Sequence, residues 1–267
     1  MTSEQQIKWA QLLQDAVSQP GTISAAYQSF HRFSMGNLIL AAIQIEDRKL
    51  PFGPIATYPA WQALGRQVRK GEKAIELCMP VTSKRAERDK VTGEETEYVF
   101  TRFIFRRNWF LLAQTDGKDY VPEPVAEWDP NQALRTLNIS RVPFDNFNGN
   151  IMGYATGNRT VAINPVNPHP EKTLVHEIAH IVHGHIDPDV LASDGRAPRS
   201  IEELEAEATA LLVCDALGID GQPEMRGYIQ AWFGRSPIPE TNARRIMHAA
   251  DVILRAGRGE IDAKENE

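Results

Sequence analysis

Hydrophobic and polar positions in the first part of the chain predict helices followed by a β-hairpin. Apolar residues recur at helical spacing in the segments 3–18 and 22–45, and a short helix is predicted at about 60–65. The spacing then changes to the alternation typical of strands, first at 74–81 and again from 98 to 114. The charged segment between these strands, with its turn at Thr92-Gly93, is expected to be the hairpin loop.

The second part of the chain begins after a predicted linker, residues 115–132, which contains three prolines and several acids. Beyond it the pattern predicts short strands near 141–147 and a hairpin at 151–165. Four helices are then expected, at about 170–183, 200–217, 223–233 and 239–256. The sequence therefore predicts an α+β protein of two domains, with boundaries at 1–124 and 125–267.

Composition is that of an ordinary globular protein, with 42% hydrophobic and 24% charged residues over 267 positions. The chain's start lacks the basic and apolar regions of a signal peptide, and its apolar runs are too short for a membrane span. Cys78 and Cys214 lie in apolar segments of different predicted domains, which is typical of reduced thiols. We expect a cytoplasmic protein without a membrane partner.

Charge is unevenly distributed along the chain. Residues 1–110 carry 15 Lys and Arg against 11 Asp and Glu, whereas residues 111–267 carry 14 against 24. This asymmetry indicates a polyanionic partner for the first part, but two domains with differently charged solvated faces would explain it as well.

The segment "TLVHEIAHIVHGH" (173–185) contains the pattern H-E-x-x-H. His176 and His180 are four residues apart, so on a helix both rings project from one face and can bind one zinc ion, while Glu177 can act on a metal-bound water. The metzincin pattern requires Gly at 183 and His at 186, where this chain has His183 and Ile186. We interpret His183 and His185 as a helix end capped by Gly184.

A third metal ligand is expected from the helix predicted at 200–217. Glu203 and Glu207 are four residues apart and flank its apolar stripe, whereas Glu202 and Glu205 are predicted to point outward. Gluzincin peptidases take a third ligand from a Glu on a second helix and often orient a ligand His with an acid one turn later. We predict Glu203 as the ligand and Glu207 as the orienting acid, with the reverse assignment left open.

Two His and one Glu would leave one metal position open for water, and Glu177 would take the proton from that water and pass it to the leaving amine. The hairpin that ends at "TVAINP", just before the H-E-x-x-H helix, is predicted to offer an edge strand as the cradle for an extended peptide. No oxyanion stabiliser is identified. Tyr154, Tyr228 and His248 qualify by chemistry alone, and packing roles explain them better.

Several segments resemble the ArdC-type antirestriction proteins of mobile elements. They are "FSMGNLILAA" and "TYPAWQALGRQVRKGEKAIELCMPV" in the first part, and "TLVHEIAH", "EELEAEATALLVCDALGI" and "YIQAWFGRSPIPETNARRIMHAADVIL" in the second. The resemblance implies a single-stranded DNA-binding domain followed by a zincin-like metallopeptidase domain. It also implies His176, His180 and Glu203 as ligands, with Glu177 catalytic. After the second His the family continues with a Trp-Thr-Gly-His-like stretch, whereas this chain has "IVHGHIDPDVLASDGRAP", so the loop beside the cleft differs.

Planar and cationic side chains in the first domain suit unpaired nucleic acid, because bases stack on rings and phosphates attract cations. Alternatively, Phe30, Phe33 and Trp61 belong to the core and the cations form a solvated rim. A second set alternates along the hairpin and includes Arg102 and Trp109. The predicted DNA-binding residues are Tyr27, His31, Tyr58, Trp61, Arg66, Arg69, Lys70, Lys73, Arg106 and Arg107.

Three functions are compatible with these patterns. The first is a DNA-associated peptidase with one zinc ion per chain, acting on or holding a protein target. The second is a non-catalytic module that coats single-stranded DNA and carries a structural metal. The third is an acidic DNA mimic, which would have no use for H-E-x-x-H and a second Glu pair. Structural zinc sites are closed by four protein ligands, so the three identified in the sequence favour the peptidase.

Overall fold

The computed structural model describes residues 8–88, 95–146, 149–193, 196–234 and 237–260. Its helices are α1 (Trp9–Ser18), α2 (Thr22–Phe30), α3 (Met35–Asp47), α4 (Tyr58–Ala63), α5 (Pro130–Thr136), α6 (Pro170–His183), α7 (Pro188–Leu191), α8 (Arg199–Leu217), α9 (Gln222–Phe233) and α10 (Glu240–Gly257). Its strands are β1 (Ile55–Thr57), β2 (Arg66–Val68), β3 (Ile75–Arg88), β4 (Glu95–Leu111), β5 (Thr115–Gly117), β6 (Ser140–Arg141), β7 (Gly153–Thr156) and β8 (Thr160–Ile163). The structure is therefore a mixture of helix and sheet, as predicted.

Two compact units divide the chain differently from the predicted domains. One unit comprises Met1–Ala42 together with Glu123–Glu267, and the other comprises Ile43–Pro122. The N-terminal helices thus cluster with the second part of the chain rather than with the hairpin. The contacts of α1 explain this, since the backbone N–H of Trp9 donates to Glu240 at the start of α10 and Arg226 of α9 donates to the carbonyl of Val17.

The helix predicted at 22–45 is interrupted in the structure. The chain leaves α2 after Phe30 and begins α3 at Met35, and the carbonyl of Ser34 accepts the N–H of Leu38 at 2.8 Å. Serine is a favoured residue immediately before a helix, so Ser34 supplies a start signal that the hydrophobic pattern alone does not reveal.

The unit formed by Ile43–Pro122 is built around the predicted hairpin. Strand β3 pairs antiparallel with β4 along its whole length, from Ile75 opposite Trp109 to Arg88 opposite Glu95, and the sheet order is β1-β4-β3. Strand β1 pairs with β4 only from Trp109 to Leu111, so the rest of β4 belongs to a two-stranded ribbon. The predicted linker is wrong at its beginning, because β5 pairs antiparallel with β2 there.

The larger unit surrounds helix α8. Its side chains are buried at most positions from Leu204 to Ala216, because α6, α9 and α10 all pack against it. The hairpin predicted at 151–165 forms strands β7 and β8, and β8 is central in the order β6-β8-β7. Strand β7 is consequently an edge strand beside α6. In the part of the chain that the structure describes, no helix has the length and apolar character needed to cross a membrane.

Candidate metal centre

Helices α6 and α8 bring the three predicted ligand groups together. His176 and His180 lie one turn apart on α6, and their Nε2 atoms are 3.2 Å from each other. Oε2 of Glu203 on α8 is 3.6 Å from each of these nitrogens. Ligand atoms bound tetrahedrally at zinc distances are separated by about 3.3 Å. The three groups therefore fit a single small cation, and within the described residues this group contains no fourth His, Cys, Asp or Glu.

Glu207, the predicted orienting acid, lies against the first of these histidines. Its Oε2 lies 2.8 Å from Nδ1 of His176, although the contact is not aligned as a hydrogen bond and Nδ1 has no aligned partner. We regard it as an electrostatic contact that turns Nε2 toward Glu203. Burial opposes the charged form of His176, but Glu203 and Glu207 outweigh burial and raise its pKa to about 9. Contact with His176 and His180 correspondingly lowers the pKa of Glu203.

Glu177 lies beside the three predicted ligand residues and is not a member of their group. Its carboxylate accepts a hydrogen bond from the backbone N–H of Ala155 on β7, and burial raises its pKa while the neighbouring histidines act in the opposite direction. A carboxylate with a raised pKa is suited to accept and return a proton near neutral pH. The structure thus places the predicted general base between the ligand helix and the edge strand.

An open cleft of about 520 Å³ leads to these residues. Strand β7 contributes Gly153, Tyr154 and Ala155 to its lining, and Arg196 and Arg199 line it from the loop before α8 and from its first turn. Strand β7 pairs only with β8 among the described strands, so its second side faces this cleft. The cleft can therefore admit an extended chain alongside β7.

The three oxyanion candidates lie in different surroundings. Tyr154 lines the cleft, but its hydroxyl donates to Asp145. Tyr228 on α9 is partly exposed, and its pKa is raised by burial and by the charges of Glu203 and Glu207. His248 lines a separate cavity with His183. Of the three candidates, Tyr154 and Tyr228 therefore lie near the predicted metal ligands, whereas His248 does not.

The prediction that Glu202 and Glu205 point outward is wrong. Their exposed fractions are 3% and 1%, because helices far apart in sequence surround α8 and leave it almost no solvated face. Glu202 accepts two hydrogen bonds from Arg196, at 2.7 and 2.8 Å. Glu205 accepts from His185 at 2.8 Å. Both buried carboxylates therefore have hydrogen-bonding partners, as the cost of burying an unpaired charge requires.

His185 is the residue that the sequence analysis missed. Gly184 adopts φ +75° and ends α6, as expected of a C-terminal cap, and this turn carries the next residue back toward the helix. The ring of His185 is 4% exposed, and its Nδ1 lies 3.0 Å from Nδ1 of His180. The residue after a left-handed glycine often packs onto the last helical turn, which is the signal that could have identified it.

Two of the predicted DNA-binding rings belong to the core. Trp61 is 1% exposed and its ring N–H donates to the carbonyl of Phe110, while Tyr27 is 2% exposed and is hydrogen-bonded to Arg258. Neither ring can stack on a base in this conformation. For Trp61 the structure supports the alternative interpretation of a core residue, and Tyr27, which the sequence analysis predicted only as a DNA-binding residue, is buried as well. His31 is half-buried in the larger unit, and burial lowers its pKa.

The predicted basic turn is partly neutralised by contacts within its own unit. Arg66 donates to the hydroxyl and carbonyl oxygens of Thr115, and Arg69 pairs with Glu72 at 2.8 Å. Lys70 and Lys73 are exposed. Tyr58, Arg69 and Lys70 line one open pocket of about 600 Å³, so three of the candidates are close together.

The ribbon of β3 and β4 carries aromatic side chains that the sequence analysis did not select. Phe103 is 69% exposed, Phe100 46% and Phe105 36%, and exposed arginines at 102, 106 and 107 are interleaved with them. Arg107 contacts Glu76 at 3.3 Å. Phenylalanines are normally buried, so three on one exposed ribbon indicate an interaction surface.

Comparison with known proteins agrees with the predicted resemblance. Residues 3–109 match the family model for the N-terminal domain of anti-restriction factor ArdC. The metal-free crystal structure of the antirestriction ArdC protein from plasmid R388 matches with a TM-score of 0.59 and 19% identity, covering 95% of this chain and 98% of that one. A Mn(II)-bound structure of the same protein matches with a TM-score of 0.56 and 19% identity, covering 93% and 97%.

One curated relative is the uncharacterized protein y4eC of Sinorhizobium fredii (strain NBRC 101917 / NGR234), which is 26% identical over 198 residues. The match covers 66% of this chain and 61% of that protein, so it spans less than two thirds of the relative's length. The N-terminal part of the chain thus matches the N-terminal domain of anti-restriction factor ArdC in sequence. Over nearly its whole length the chain shares the fold of the ArdC protein from plasmid R388.

Proposed function

We propose that this chain is a metal-dependent peptidase of the gluzincin type, with His176, His180 and Glu203 holding one zinc ion. The observation that carries the proposal is the convergence of two Nε2 atoms and one carboxylate oxygen within 3.2 to 3.6 Å, beside the half-buried Glu177. Two imidazoles and one carboxylate are a common protein ligand set of catalytic zinc. A structural site would be closed by a fourth protein ligand, which the described residues do not offer.

A divalent cation is supported by two independent features. The ligand set has one negative charge and mixed nitrogen and oxygen donors, which suits first-row divalent metals. The ArdC protein of plasmid R388, which shares this fold, has a Mn(II)-bound structure. Zinc is our choice among these metals because the separations of the ligand atoms match tetrahedral coordination.

The proposed reaction is hydrolysis of a peptide bond. When bound, the metal would polarise the scissile carbonyl and lower the pKa of a water molecule. Glu177 would accept the proton of the attacking water and return it to the leaving amine, for which its raised pKa is suited. Glu207 would keep the ring of His176 oriented. Ala155 would hold the Glu177 carboxylate beside the substrate.

The proposed substrate is an extended segment of a protein, bound along β7. An unpaired strand edge binds such a segment by main-chain hydrogen bonds, and the second side of β7 lies along the cleft. Antirestriction activity of a mobile element would then include cutting or holding a protein target. The loop before α8 differs from the family's usual sequence, so Arg196 and Arg199 at the cleft are the residues that would distinguish its target.

Replacing Glu177 by Gln tests the chemical role without changing the size of the side chain. We expect Glu177→Gln to bind one zinc ion per chain like the wild type but to lose at least about 100-fold in cleavage rate, since general-base catalysis contributes that much or more. The measurement is cleavage of fluorescein-labelled casein by the full-length chain, with metal content determined on the same samples.

Glu171→Gln is the matched control, because Glu171 lies on the same helix in its exposed first turn. It should cleave at the wild-type rate. Cleavage by Glu177→Gln at the wild-type rate would show that the site is not a peptidase of this kind. Loss of metal from that variant would make Glu177 a ligand and contradict the assigned role.

We further propose that the chain binds single-stranded DNA, and the exposed ribbon of β3 and β4 favours this second function. Phenylalanine faces give stacking platforms for unpaired bases, and the interleaved arginines provide charges for phosphates. Of the predicted residues, Arg106 and Arg107 belong to this ribbon, whereas Trp61 and Tyr27 are buried. The proposed DNA surface therefore moves from the basic turn to the ribbon, with the pocket at Tyr58 and Lys70 as its second part.

Binding of fluorescently labelled oligo(dT) by the full-length chain tests this function. Phe103→Ala should weaken binding about 5- to 100-fold at any salt concentration, because stacking on one ring contributes about 1–3 kcal/mol. The double replacement Arg102→Ala, Arg106→Ala should flatten the salt dependence, because fewer counterions are released.

Leu64→Ala is the control for Phe103→Ala, since Leu64 is 45% exposed in the same unit but lies outside the ribbon. It should bind like the wild type. Unchanged affinity of Phe103→Ala, or equal affinity for duplex and single-stranded DNA, would exclude the ribbon as a stacking surface.

A further inference from the structure

A buried chain of polar side chains lies behind His180, on the side opposite Glu203. Nδ1 of His180 is 3.0 Å from Nδ1 of His185, and Nε2 of His185 is 2.8 Å from Oε2 of Glu205. The other carboxylate oxygen of Glu205 accepts the side-chain amide of Asn242 at 2.9 Å. His185 and Glu205 are 4% and 1% exposed, so these contacts are shielded from water.

We propose that His185 and Glu205 are positioning residues of the metal centre, which hold the ring of His180 in the tautomer and plane that metal binding requires. The inference rests on the proposed function, in that it takes His180 as a ligand. Hydrogen bonds from a ligating imidazole to groups behind it fix its orientation and increase its basicity. Here a second imidazole stands between the ligand and the carboxylate.

One requirement determines the direction of each hydrogen bond from His180 through His185 to Glu205. A ligating Nε2 must present its lone pair, so neutral His180 carries its proton on Nδ1. That proton can be donated only if Nδ1 of His185 accepts, which places the proton of His185 on Nε2. Nε2 then donates to Glu205, whose carboxylate also accepts from Asn242 and lies 3.5 Å from Arg245. The arrangement leaves none of these four nitrogens without a role.

The backbone at the end of α6 places His185 where this role needs it. Gly184 turns the chain in the left-handed conformation, and the N–H of His185 donates to the carbonyl of His180 at 3.0 Å. The two residues of the proposed pair are thus tied together by their backbones as well as their rings. The ring of His185 also stacks on His183, with centroids 4.9 Å apart and planes within 5°. His183 in turn contacts the hydroxyl of Thr209 at 2.9 Å, which fixes the stack.

The same region admits another interpretation, a second metal site formed by His183, His185 and Glu205. The contacts argue against it. Nε2 of His183 is already paired with Thr209, and Nδ1 of His183 is 3.9 Å from Glu205, whereas His185 makes a hydrogen bond to the same oxygen at 2.8 Å. Parallel stacked rings also do not aim two lone pairs at one point. A set of satisfied hydrogen bonds describes the cluster better than a second metal site.

Zinc affinity of the full-length chain, measured by competition with a chromophoric chelator, tests the inference. His185→Phe keeps a planar ring but removes both hydrogen bonds. Glu205→Gln removes the negative charge that accepts the hydrogen bond from His185. Both should weaken zinc binding about 10- to 100-fold, the usual effect of losing such support. His185→Gln, which can still accept from His180 and donate to Glu205, should restore most of the affinity. The Co²⁺ absorption spectrum should shift in the two weakened variants only.

Asp215→Asn separates this role from a loss of stability. Asp215 is a buried carboxylate on the same helix, but its partner is Arg226. Its replacement should lower the melting temperature and leave zinc affinity unchanged. Wild-type affinity in Glu205→Gln would overturn the inference, and this variant decides the outcome if His185→Phe does not fold. Two zinc ions per wild-type chain, reduced to one in His185→Phe, would also overturn it. Failure of the proposed function has a different signature, namely unchanged zinc affinity in His180→Ala.

Discussion

At the scale of single residues, the environment of each histidine determines its chemistry. His176 and His183 belong to one helix, yet contacts with Glu203 and Glu207 raise the pKa of the first to about 9, while burial lowers that of the second to about 3. Carboxylate oxygens lie 2.8 and 3.6 Å from the ring nitrogens of His176, whereas Nδ1 of His183 is 3.9 Å from the carboxylate of Glu205 and its Nε2 contacts the hydroxyl of Thr209. Identical side chains thus have opposite preferences for the charged form.

The pKa of His183 predicts how stability depends on pH. Between pH 6.5 and about 3 the unfolded chain takes up a proton at this residue that the folded chain does not, so the free energy of unfolding falls as pH is lowered. From pH 6.5 to 5, above the usual range of carboxylates, the slope should reach as much as about 1.4 kcal/mol per pH unit.

Denaturant unfolding of the metal-free protein at several pH values in this window measures the effect. His183→Gln keeps a hydrogen-bonding partner for Thr209 but does not titrate, so its slope should be clearly smaller. The raised pKa of His176 does not affect this window. Its contribution to the free energy of unfolding is lost as pH rises from 6.5 to about 9. Equal slopes for the wild type and His183→Gln would contradict the account.

At the scale of elements, the end of α6 matters as much as its H-E-x-x-H pattern. Gly184 ends the helix and returns His185 to His180, so one turn joins the proposed ligand to its proposed positioning residue. A side chain at φ +75° is strained even though a Cβ at Gly184 would meet no atom within 4 Å. The conformation of this residue, and not its packing, is therefore what requires glycine.

Gly184→Ala should lower the free energy of unfolding by about 1 kcal/mol, the cost of a left-handed non-glycine residue. Gly227→Ala is a matched comparison, because Gly227 lies inside α9 with equally open space around it. That replacement should be neutral or stabilise by up to about 1 kcal/mol, since alanine is the better helix former. Chemical denaturation of both variants checks the pair, and a neutral Gly184→Ala would contradict it.

The elements also show what local sequence can predict. His176 and His180 share a helical turn, so their joint position follows from spacing alone, and the hairpin of β7 and β8 follows from its turn residues. The burial of Glu205 cannot be predicted from spacing, because it depends on the packing of α6 and α10 against α8. The prediction of stacking aromatic residues was wrong at Trp61 for the same reason, since only the tertiary fold buries this ring and exposes Phe103.

At the scale of the whole molecule, the two proposed activities belong to separate compact units of a chain with the ArdC fold. The metal centre lies in the unit that contains α6 and α8, and the aromatic ribbon lies in Ile43–Pro122. The charge difference along the sequence agrees with this division, because the ribbon carries arginines whereas the ligand helix α8 is acidic. Each activity can therefore be removed by substitutions that leave the other intact.

Calorimetric titration of zinc into the metal-free full-length chain tests whether His176, His180 and Glu203 form one metal site. We expect one zinc ion per wild-type chain, weaker binding by Glu203→Ala, and no binding by the double variant His176→Ala, His180→Ala. Asp215→Asn should still bind one ion, since the carboxylate of Asp215 contacts Arg226 and not the proposed ligands. One zinc ion bound by the double histidine variant with wild-type affinity would show that these residues do not form the site.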